Sequence, residues 1–254
     1  MQRKKEEKSH SLKKFSIEEH LWELKSRVIK IVIFFMVSTV VTFQFAWDIF
    51  AVLSKPLVIL IGTGEFHFIY TKLTEGFITE LKISFIFAIF LTLPFFFFQF
   101  YKFVAPGLYK QEKVIVAPYL IFSPILFMMG AFLVYFVVMP ITWRFFASFQ
   151  NLNYLSGTPI KLEAKISEYL DLVIELFISF GIAFQLPIVL VMLTKLKIIT
   201  ISQLVKFRRY SIVLIFILAA ILTPPDVLSQ IILALPLMLL YEISILCCKK
   251  VNPK

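Results

Sequence analysis

The sequence predicts an all-α fold, a polytopic membrane helix bundle with six transmembrane helices, the last two of them short, and with both termini in the cytoplasm. The first observation behind this prediction is composition, because 59% of the 254 residues are hydrophobic and only 17% are charged. A soluble domain carries about 25% charged residues, so the surplus apolar surface must face lipid. The second observation is a series of long uncharged stretches, and the third is a one-sided distribution of Lys and Arg.

Uncharged stretches locate the spans, because a helix needs about 20 apolar residues to cross the ~30 Å hydrocarbon core. Six candidates result, and they are Ile31–Trp47, Ile83–Tyr101, Val114–Trp143, Leu176–Thr194, Tyr210–Pro225, and Val227–Tyr241 continued by Ile243–Cys248. The third stretch contains Pro118, Pro124 and Pro140 and is longer than one perpendicular crossing needs. We interpret it as one tilted or kinked helix, since two spans would leave no room for a turn.

The fifth and sixth candidates share a segment that is broken at Pro224-Pro225-Asp226. The prolines stop one helix, and the Asp226 side chain can cap the next. Either both are short spans, or the segment is one long kinked helix. We favour two short spans, because five crossings disagree with the charge pattern.

That charge pattern emerges when Lys and Arg are counted on the two sides of a six-span chain. Of the 26 Lys and Arg residues, 20 lie in four segments, which are 1–30, 102–113, 195–209 and 249–254. The connections 48–82 and 144–168 hold the other 6. Since basic segments stay in the cytoplasm, both termini are predicted there. We treat residues 1–254 as one six-span domain that begins with a basic, amphipathic cytoplasmic segment, 1–27, whose charge requires no nucleic-acid partner.

No catalytic arrangement is recognisable in the sequence. The three histidines, His10, His20 and His67, lack zinc-protease spacing, and neither a Gly-x-Ser-x-Gly elbow nor a glycine-rich phosphate loop occurs. We therefore predict a protein that is not an enzyme, with no catalytic residue, no metal site and no cofactor.

Two carboxylates occur on the predicted cytoplasmic face, where the chain is otherwise basic. Glu23 lies in an amphipathic stretch that enters the first span, and Glu112 starts the helix after a Pro-Gly turn. Each carboxylate alone is explained by the favourable charge near a helix start, worth ~0.3–1 kcal/mol. Together they form a selective patch, because a planar guanidinium binds a carboxylate through two parallel hydrogen bonds.

A second group of polar candidates lies in or near the fourth span. Glu168, Asp171 and Glu175 recur on one helical face, and Gln185 lies deeper in the same span. This acidic face is either a solvated end in the outer leaflet, paired with lysines such as Lys165, or part of a substrate path. The second option defines an alternative function, a secondary transporter of small solutes that uses Glu175 and Gln185 as its coupling site.

Six segments of the chain form an ordered series of motifs. Residues His20–Arg27 read His-Leu-Trp-Glu-Leu-Lys-Ser-Arg, and residues Phe103–Glu112 read Phe-Val-Ala-Pro-Gly-Leu-Tyr-Lys-Gln-Glu. The further segments are Leu73–Phe77, Gly130–Phe136 with Pro140, Thr223–Asp226, and Ser229-Gln230 with Pro236 and Leu240–Glu242. Taken in chain order, they resemble the TatC family, the multi-span subunit of the twin-arginine protein translocase. The resemblance covers nearly the whole chain and implies six spans with short fifth and sixth helices.

The resemblance implies a receptor for the twin-arginine signal peptides of folded substrates, with the paired arginines docked on Glu23 and Glu112. The residues that it assigns to signal-peptide binding are Glu23, Glu112, Lys25, Arg27, Phe103, Pro106 and Lys110. The intramembrane polar or partner-contact positions are Glu175, Gln185, Tyr135 and Asp226. It also implies the single-span partners TatA and TatB, contact with membrane lipid and a multimeric complex. The expected location is the cell inner membrane, with a plastid thylakoid or a mitochondrial inner membrane as alternatives.

Two positions depart from the family pattern. Lys25 replaces the usual Arg, which keeps the charge but loses the fork geometry. Gln185 stands in Phe184-Gln185-Leu186-Pro187, where the family commonly has Glu. We therefore predict that position 185 supplies a polar surface rather than a titrating group.

Overall fold

The computed structural model describes residues 17–62, 67–107, 110–148, 163–222 and 227–251. In these ranges the chain forms nine α-helices, which are α1 Ile17–Gln44, α2 Ala46–Ile61, α3 Glu75–Val104, α4 Lys110–Leu133, α5 Met139–Ser148, α6 Ile166–Ala183, α7 Leu186–Lys195, α8 Ile201–Leu222 and α9 Val227–Val251. Two short strands, β1 Phe68–Ile69 and β2 Ala164–Lys165, pair in parallel. The predicted all-α membrane bundle is therefore confirmed, with this strand pair as a small addition.

Within the described ranges, five helical segments are long and apolar enough to cross a membrane. They are His20–Gln44, Glu75–Gly107, Ala117–Ser148, Ile166–Lys195 and Gln230–Val251. Helix α8 is not among them, since Lys206, Arg208 and Arg209 occupy its first half. The chain is a multi-pass membrane protein, and the sixth crossing stays a prediction.

The segment from Tyr210 to Cys248 contains two helices, as predicted, rather than one kinked helix. Helices α8 and α9 run antiparallel: Gln230 Nε2 donates to Phe216 O at 2.9 Å, and Tyr241 Oη donates to Leu204 O at 3.0 Å. The prediction that these helices are short is wrong, because they contain 22 and 25 residues. Counting uncharged residues ends a span at the first charge, whereas a helix continues through basic residues whose long side chains can reach the lipid head groups.

The third predicted span is one continuous helical segment, as expected. Helix α4 passes through a π-helical turn, Val134–Val138, into α5, and the Met139 N–H donates to Val134 O across that turn. Pro140 follows directly and has no N–H to donate, which is a common cause of such a local change in a helix. Within the π turn, Tyr135 Oη donates to Val52 O of α2 at 2.9 Å.

The fourth predicted span differs from the uninterrupted run Leu176–Thr194. It begins at Ile166, and a turn at Phe184 and Gln185 separates α6 from α7. Pro187 lies in the first turn of α7, where a missing N–H is tolerated. Because a proline cannot continue the hydrogen bonds of α6, the sequence breaks the helix at Gln185.

No helix was predicted in residues 48–82, yet α2 continues from Ala46 into this segment and packs into the core. Its buried residues include Phe50, Leu53 and Leu57, and the Tyr169 hydroxyl of α6 donates to Leu53 O at 2.7 Å. The helix ends at Gly62, whose φ of 96° favours glycine. Helix α2 is amphipathic and only 16 residues long, so a search for span-length apolar runs passes over it.

Glu75, in one of the ordered motifs, joins the start of α3 to the start of α6. Its Oε2 accepts the Thr71 N–H at 2.9 Å and the Lys72 N–H at 3.2 Å. Its Oε1 accepts the Ser167 N–H at 3.3 Å. Lys82 Nζ and Asp171 Oδ1 form a further link between α3 and α6 at 2.5 Å.

Helices α4 and α6 approach closely at two glycines. A Cβ added at Gly181 would lie 2.3 Å from Phe127 Cζ, and one added at Gly130 would lie 2.9 Å from Phe180 O. Neither site has room for a side chain. The crossing therefore fixes α6 and the turn at Gln185 against α4.

Helix α1 packs antiparallel on α3. Thr42 Oγ1 donates to Ser84 O at 2.8 Å, and the rings of Phe34 and Phe95 stack with centroids 4.8 Å apart. This pairing brings the beginning of α1 beside the end of α3, which are the two helix ends that carry the predicted binding residues.

Candidate functional site

A polar cluster, defined here as Glu23, Arg27 and Gln99, lies where α1 begins and α3 ends. Arg27 donates to Glu23 Oε1 from both Nε, at 3.1 Å, and Nη2. The remaining Arg27 nitrogen, Nη1, donates to Gln99 Oε1 at 3.2 Å. The guanidinium thus bridges the carboxylate of one helix to the amide of the other.

Both guanidinium contacts fall on the same oxygen of Glu23. The other oxygen, Oε2, has only His20 Nδ1 nearby, at 3.8 Å, among the described residues. A carboxylate has about four acceptor positions on its two oxygens, so Oε2 can accept further donors. The Glu23 side chain is 26% exposed, so this carboxylate is only partly enclosed by the bundle.

Local helix geometry explains why these groups meet. Glu23 and Arg27 are separated by four residues, and a Glu placed before an Arg at this spacing is the favourable order on a helix. His20 lies one turn before Glu23, and its ring stacks on Phe103 of α3 with centroids 4.4 Å apart. Gln99 is 7% exposed and lies one turn before Phe103.

The structure brings together three of the seven residues predicted to bind the signal peptide, namely Glu23, Arg27 and Phe103. Lys25 points elsewhere, with its Nζ 5.0 Å from the ring centroid of Trp22. Pro106 lies in the 3₁₀ turn Ala105–Gly107 that ends α3. Lys110 and Glu112 lie in the first turn of α4, but their side chains are outside the described residues.

Gln185 makes one of the hydrogen bonds that its amide allows. Its Nε2 donates to Ser123 O of α4 at 3.1 Å. Its Oε1 is buried and has no partner among the described residues. Gln185 is therefore tied to α4 through its donor and carries an unused acceptor.

The acidic face of α6 separates into paired and unpaired carboxylates. Asp171 pairs with Lys82. Glu168 Oε1 lies 3.9 Å from Lys165 Nζ, as expected if this face is a solvated end that pairs with lysines. Glu175 is exposed and has neither an ion pair nor a hydrogen bond within the described part of the chain. Asp226, the remaining predicted partner-contact residue, lies outside the described residues.

Sequence reasoning missed two members of this region. Gln99 was passed over, although an amide inside an otherwise apolar stretch is a signal that could have identified it. The role of His20 as a ring stacked on Phe103 depends on the pairing of α1 with α3, which no local pattern reveals. Among the described residues, no group of three or more His, Cys, Asp or Glu side chains could hold a metal ion.

Comparison with known proteins assigns the family. The family model described as Sec-independent protein translocase protein (TatC) matches residues 19–236. The chain is 47% identical to the Sec-independent protein translocase protein TatC of Rickettsia prowazekii (strain Madrid E), and the match covers 93% of this chain and 94% of that protein. It is 42% identical to the protein of the same name from Magnetococcus marinus (strain ATCC BAA-1437 / JCM 17883 / MC-1), with 91% and 83% covered.

Known structures agree with this result. A crystal structure of the twin-arginine translocase receptor TatC is similar with a TM-score of 0.77 and 38% identity, and the match covers 92% of this chain and 99% of that one. These comparisons support the translocase hypothesis and not the alternative of a small-solute transporter. The resemblance inferred from the sequence motifs is confirmed, and the chain belongs to the TatC family of Sec-independent protein translocase proteins.

Proposed function

We propose that this chain is the receptor for twin-arginine signal peptides and the core subunit of a translocase that exports folded proteins across an energised membrane. The observation that carries the proposal is the geometry of Glu23. Arg27 holds its carboxylate through Oε1, while Oε2 has no hydrogen bond among the described residues and the side chain is 26% exposed. A positioned, partly exposed carboxylate with a free oxygen is suited to receive a guanidinium.

The charges of the cluster explain why one carboxylate is insufficient. Glu23 already neutralises Arg27, so a peptide with two arginines brings two positive charges that the cluster alone cannot balance. Glu112 supplies the second carboxylate in this proposal. It lies in the first turn of α4, nine residues after Phe103, which itself contacts the cluster through His20.

The other predicted binding residues border this pair of carboxylates in the proposed complex. Phe103 and Pro106 form an apolar wall at the end of α3, against which the peptide backbone packs. Lys25, whose Nζ lies 5.0 Å from the Trp22 ring centroid, and Lys110 supply the basic edge of the binding surface in this proposal. Neither catalysis nor a cofactor is needed, because docking uses only hydrogen bonds and charge, and we propose that the chain is not an enzyme.

We further propose that the end of the bundle that carries Glu23 faces the cytoplasm and that α8 is the sixth crossing. The excess of Lys and Arg at the predicted cytoplasmic segments supports this orientation. The antiparallel pairing of α8 with α9 supports the sixth crossing, since it returns the chain to the side of its start. In a background without Cys247 and Cys248, an impermeant reagent added outside should label Gly62→Cys and leave Ser202→Cys unmodified, and the reverse pattern would overturn the orientation.

The proposed setting is the cell inner membrane, where the chain assembles with the single-span subunits TatA and TatB in a multimeric complex. The large exposed apolar surface of α1 supports such contacts with lipid or with other subunits, because its outward side chains are apolar over most of its length. Examples are Val32 at 51%, Val37 at 59% and Val40 at 65% exposed. The proposed partner-contact residues include Glu175 on α6 and Gln185 in the turn between α6 and α7, and the Glu175 carboxylate and Gln185 Oε1 are unpaired among the described residues.

The binding proposal is tested by the affinity of a twin-arginine peptide for the membrane-embedded chain. Glu23→Gln and Glu112→Gln should each weaken binding about 2- to 10-fold, since a partly exposed charge pair contributes up to about 1 kcal/mol or slightly more. Glu168→Gln is the matched control, because this carboxylate is exposed at the opposite end of the bundle. If both site variants bind the peptide like the parent chain, the assignment is wrong.

A further inference from the structure

Basic residues concentrate where α7 ends, α8 begins and α9 ends. Residues 195–209 and 240–251 contain seven Lys and Arg and one carboxylate, Glu242. Arg208 pairs with that carboxylate, Nη2 to Oε2, at 2.6 Å. The other six form no ion pair among the described residues, and five of them are exposed. They define the basic surface, which consists of Lys195, Lys197, Lys206, Arg209, Lys249 and Lys250.

The packing of α9 brings these three helix ends to one level. The ion pair between Arg208 and Glu242 joins α8 to α9, and the two helices run antiparallel. Seven residues, or roughly 10 Å, separate the ion pair from Lys249 along α9 and from the first residue of α8. Helix α7 also packs on α9, and Cys248 lies beside Thr194 at its end. The lysines of all three helix ends are therefore neighbours.

Membrane topology alone does not account for this concentration of charge. A membrane protein needs only an excess of Lys and Arg on its cytoplasmic side. The helix ends around the polar cluster, residues 17–30 and 99–113, contain six Lys and Arg but also four carboxylates. The positive charge at the proposed cytoplasmic end is thus concentrated in the half formed by α7, α8 and α9, where like charges repel one another.

The backbone of Lys197 gives a second indication that this surface has a ligand. Its φ of 57° lies in the left-handed region, which a side chain disfavours. The Ile198 N–H donates to Leu193 O at 3.0 Å, the hydrogen bond of a Schellman cap, in which the position of Lys197 is usually glycine. A lysine here strains the backbone and adds charge to a repulsive cluster. An anionic ligand explains why both costs are tolerated.

Aromatic side chains place the basic surface at the depth of the lipid head groups. Phe207 and Tyr210 are each about half exposed, and their ring centroids lie 5.3 Å apart. Arg209 Nη2 donates to Tyr210 Oη at 3.0 Å, and its guanidinium lies 4.8 Å from the centre of that ring. Exposed tyrosines collect at the boundary between membrane and water. Beyond Tyr210, the same face of α8 exposes apolar residues such as Val213 and Ile217.

We propose that the basic surface binds the head group of an anionic phospholipid in the leaflet at this end of the bundle. The inference goes beyond the proposed function and does not depend on it. Lysine ammonium groups and the Arg209 guanidinium donate to the phosphate oxygens, and the net negative charge of the lipid offsets the repulsion among the cations. The acyl chains continue along the apolar face of α8. A soluble acidic partner would leave that apolar face unused.

Native mass spectrometry of the full chain in detergent measures the affinity for single lipids. The parent chain should bind phosphatidylglycerol more tightly than zwitterionic phosphatidylcholine or glycerol phosphate, which lacks the acyl chains. Lys206→Gln combined with Lys250→Gln should weaken phosphatidylglycerol binding about 25-fold, since each basic residue near an anionic surface contributes about fivefold. Lys30→Gln combined with Lys102→Gln is the matched control, because it removes two exposed cations from the helix ends around the polar cluster. It should change the affinity less than twofold.

Lys197→Gly separates the strain from the binding. Glycine adopts a positive φ without cost, so this variant should raise the Tm of the lipid-free chain. It should also weaken phosphatidylglycerol binding about fivefold, whereas a purely structural lysine would leave the affinity unchanged. The proposal is overturned if Lys197→Gly binds this lipid like the parent chain, or if the two double variants bind it equally. Equal binding of phosphatidylcholine or glycerol phosphate by the parent chain would overturn it as well.

Discussion

Replacement of Gln185 by Leu separates a role in folding from a role in translocation. The Gln185 amide donates one hydrogen bond, from Nε2 to Ser123 O at 3.1 Å, and buries Oε1 without a partner in the described part of the chain. Leu removes the donor and the acceptor together. Its effect on stability is therefore the difference between two terms. The variant loses the hydrogen bond to Ser123 O and is relieved of the cost of burying Oε1 without a partner.

The relieved penalty is at least as large as the average lost bond. An interhelical hydrogen bond in a membrane protein is worth about 0.6 kcal/mol on average and about 1.7 kcal/mol at most. A buried acceptor without a partner costs about 1–3 kcal/mol. We therefore expect Gln185→Leu to have the stability of the parent chain or slightly more. If Oε1 serves a partner subunit or a water path during translocation, the same variant should transport poorly despite its intact fold.

The measurements are unfolding in detergent and transport of a folded twin-arginine substrate into vesicles that contain the partner subunits. Gln185→Glu is the control, because a protonated carboxyl group keeps a donor for Ser123 O and an acceptor in place of Oε1. It should retain transport. A loss of stability by Gln185→Leu above the ~1.7 kcal/mol maximum would refute the energetic reasoning. Full transport by the Leu variant would refute a functional role for this side chain.

Two further predictions concern the bundle. Gly181→Ala should lower the free energy of unfolding by about 1–3 kcal/mol, because the new Cβ would lie 2.3 Å from Phe127 Cζ, whereas Gly107→Ala, which meets nothing within 4 Å, should change it by less than about 0.5 kcal/mol. Equal thermal stability of these two variants would contradict the close crossing. In a double-mutant cycle, Asp171→Asn and Lys82→Met should show a coupling of about 0.2–1 kcal/mol, since both side chains are partly exposed. A coupling of zero would mean that the contact does not stabilise the fold.

Sequence patterns predicted the spans well where hydrophobicity alone decides the structure. They failed where a helix ends for local reasons, as at the turn before Pro187, or continues through charged residues, as in α8. Helix α2 was missed because it is amphipathic and only 16 residues long, so it contains no apolar run of span length. These errors have one cause. The spans were predicted from the length of apolar stretches, and that length carries no information about contacts between helices.

The candidate site shows the same division. Glu23 was predicted as a carboxylate on an otherwise basic face, and Arg27 was assigned through the motif that resembles the family. Gln99 and His20 contribute only after α1 packs on α3, which places residues 72 positions apart in hydrogen-bond contact. Local spacing could therefore predict the carboxylate but not the groups that orient it.

The pairing of Glu23 with Arg27 affects how a twin-arginine receptor rejects other basic segments. A bare carboxylate at this position would attract any lysine-rich sequence near the membrane. Because Arg27 already shares the charge of Glu23, an incoming cation gains little from simple attraction and depends on hydrogen bonds to Oε2. A guanidinium presents its donors in a fixed planar fork and is weakly hydrated, whereas an ammonium is compact and strongly hydrated. Under the proposed function, the internal pairing with Arg27 therefore favours peptides with arginines over peptides with lysines.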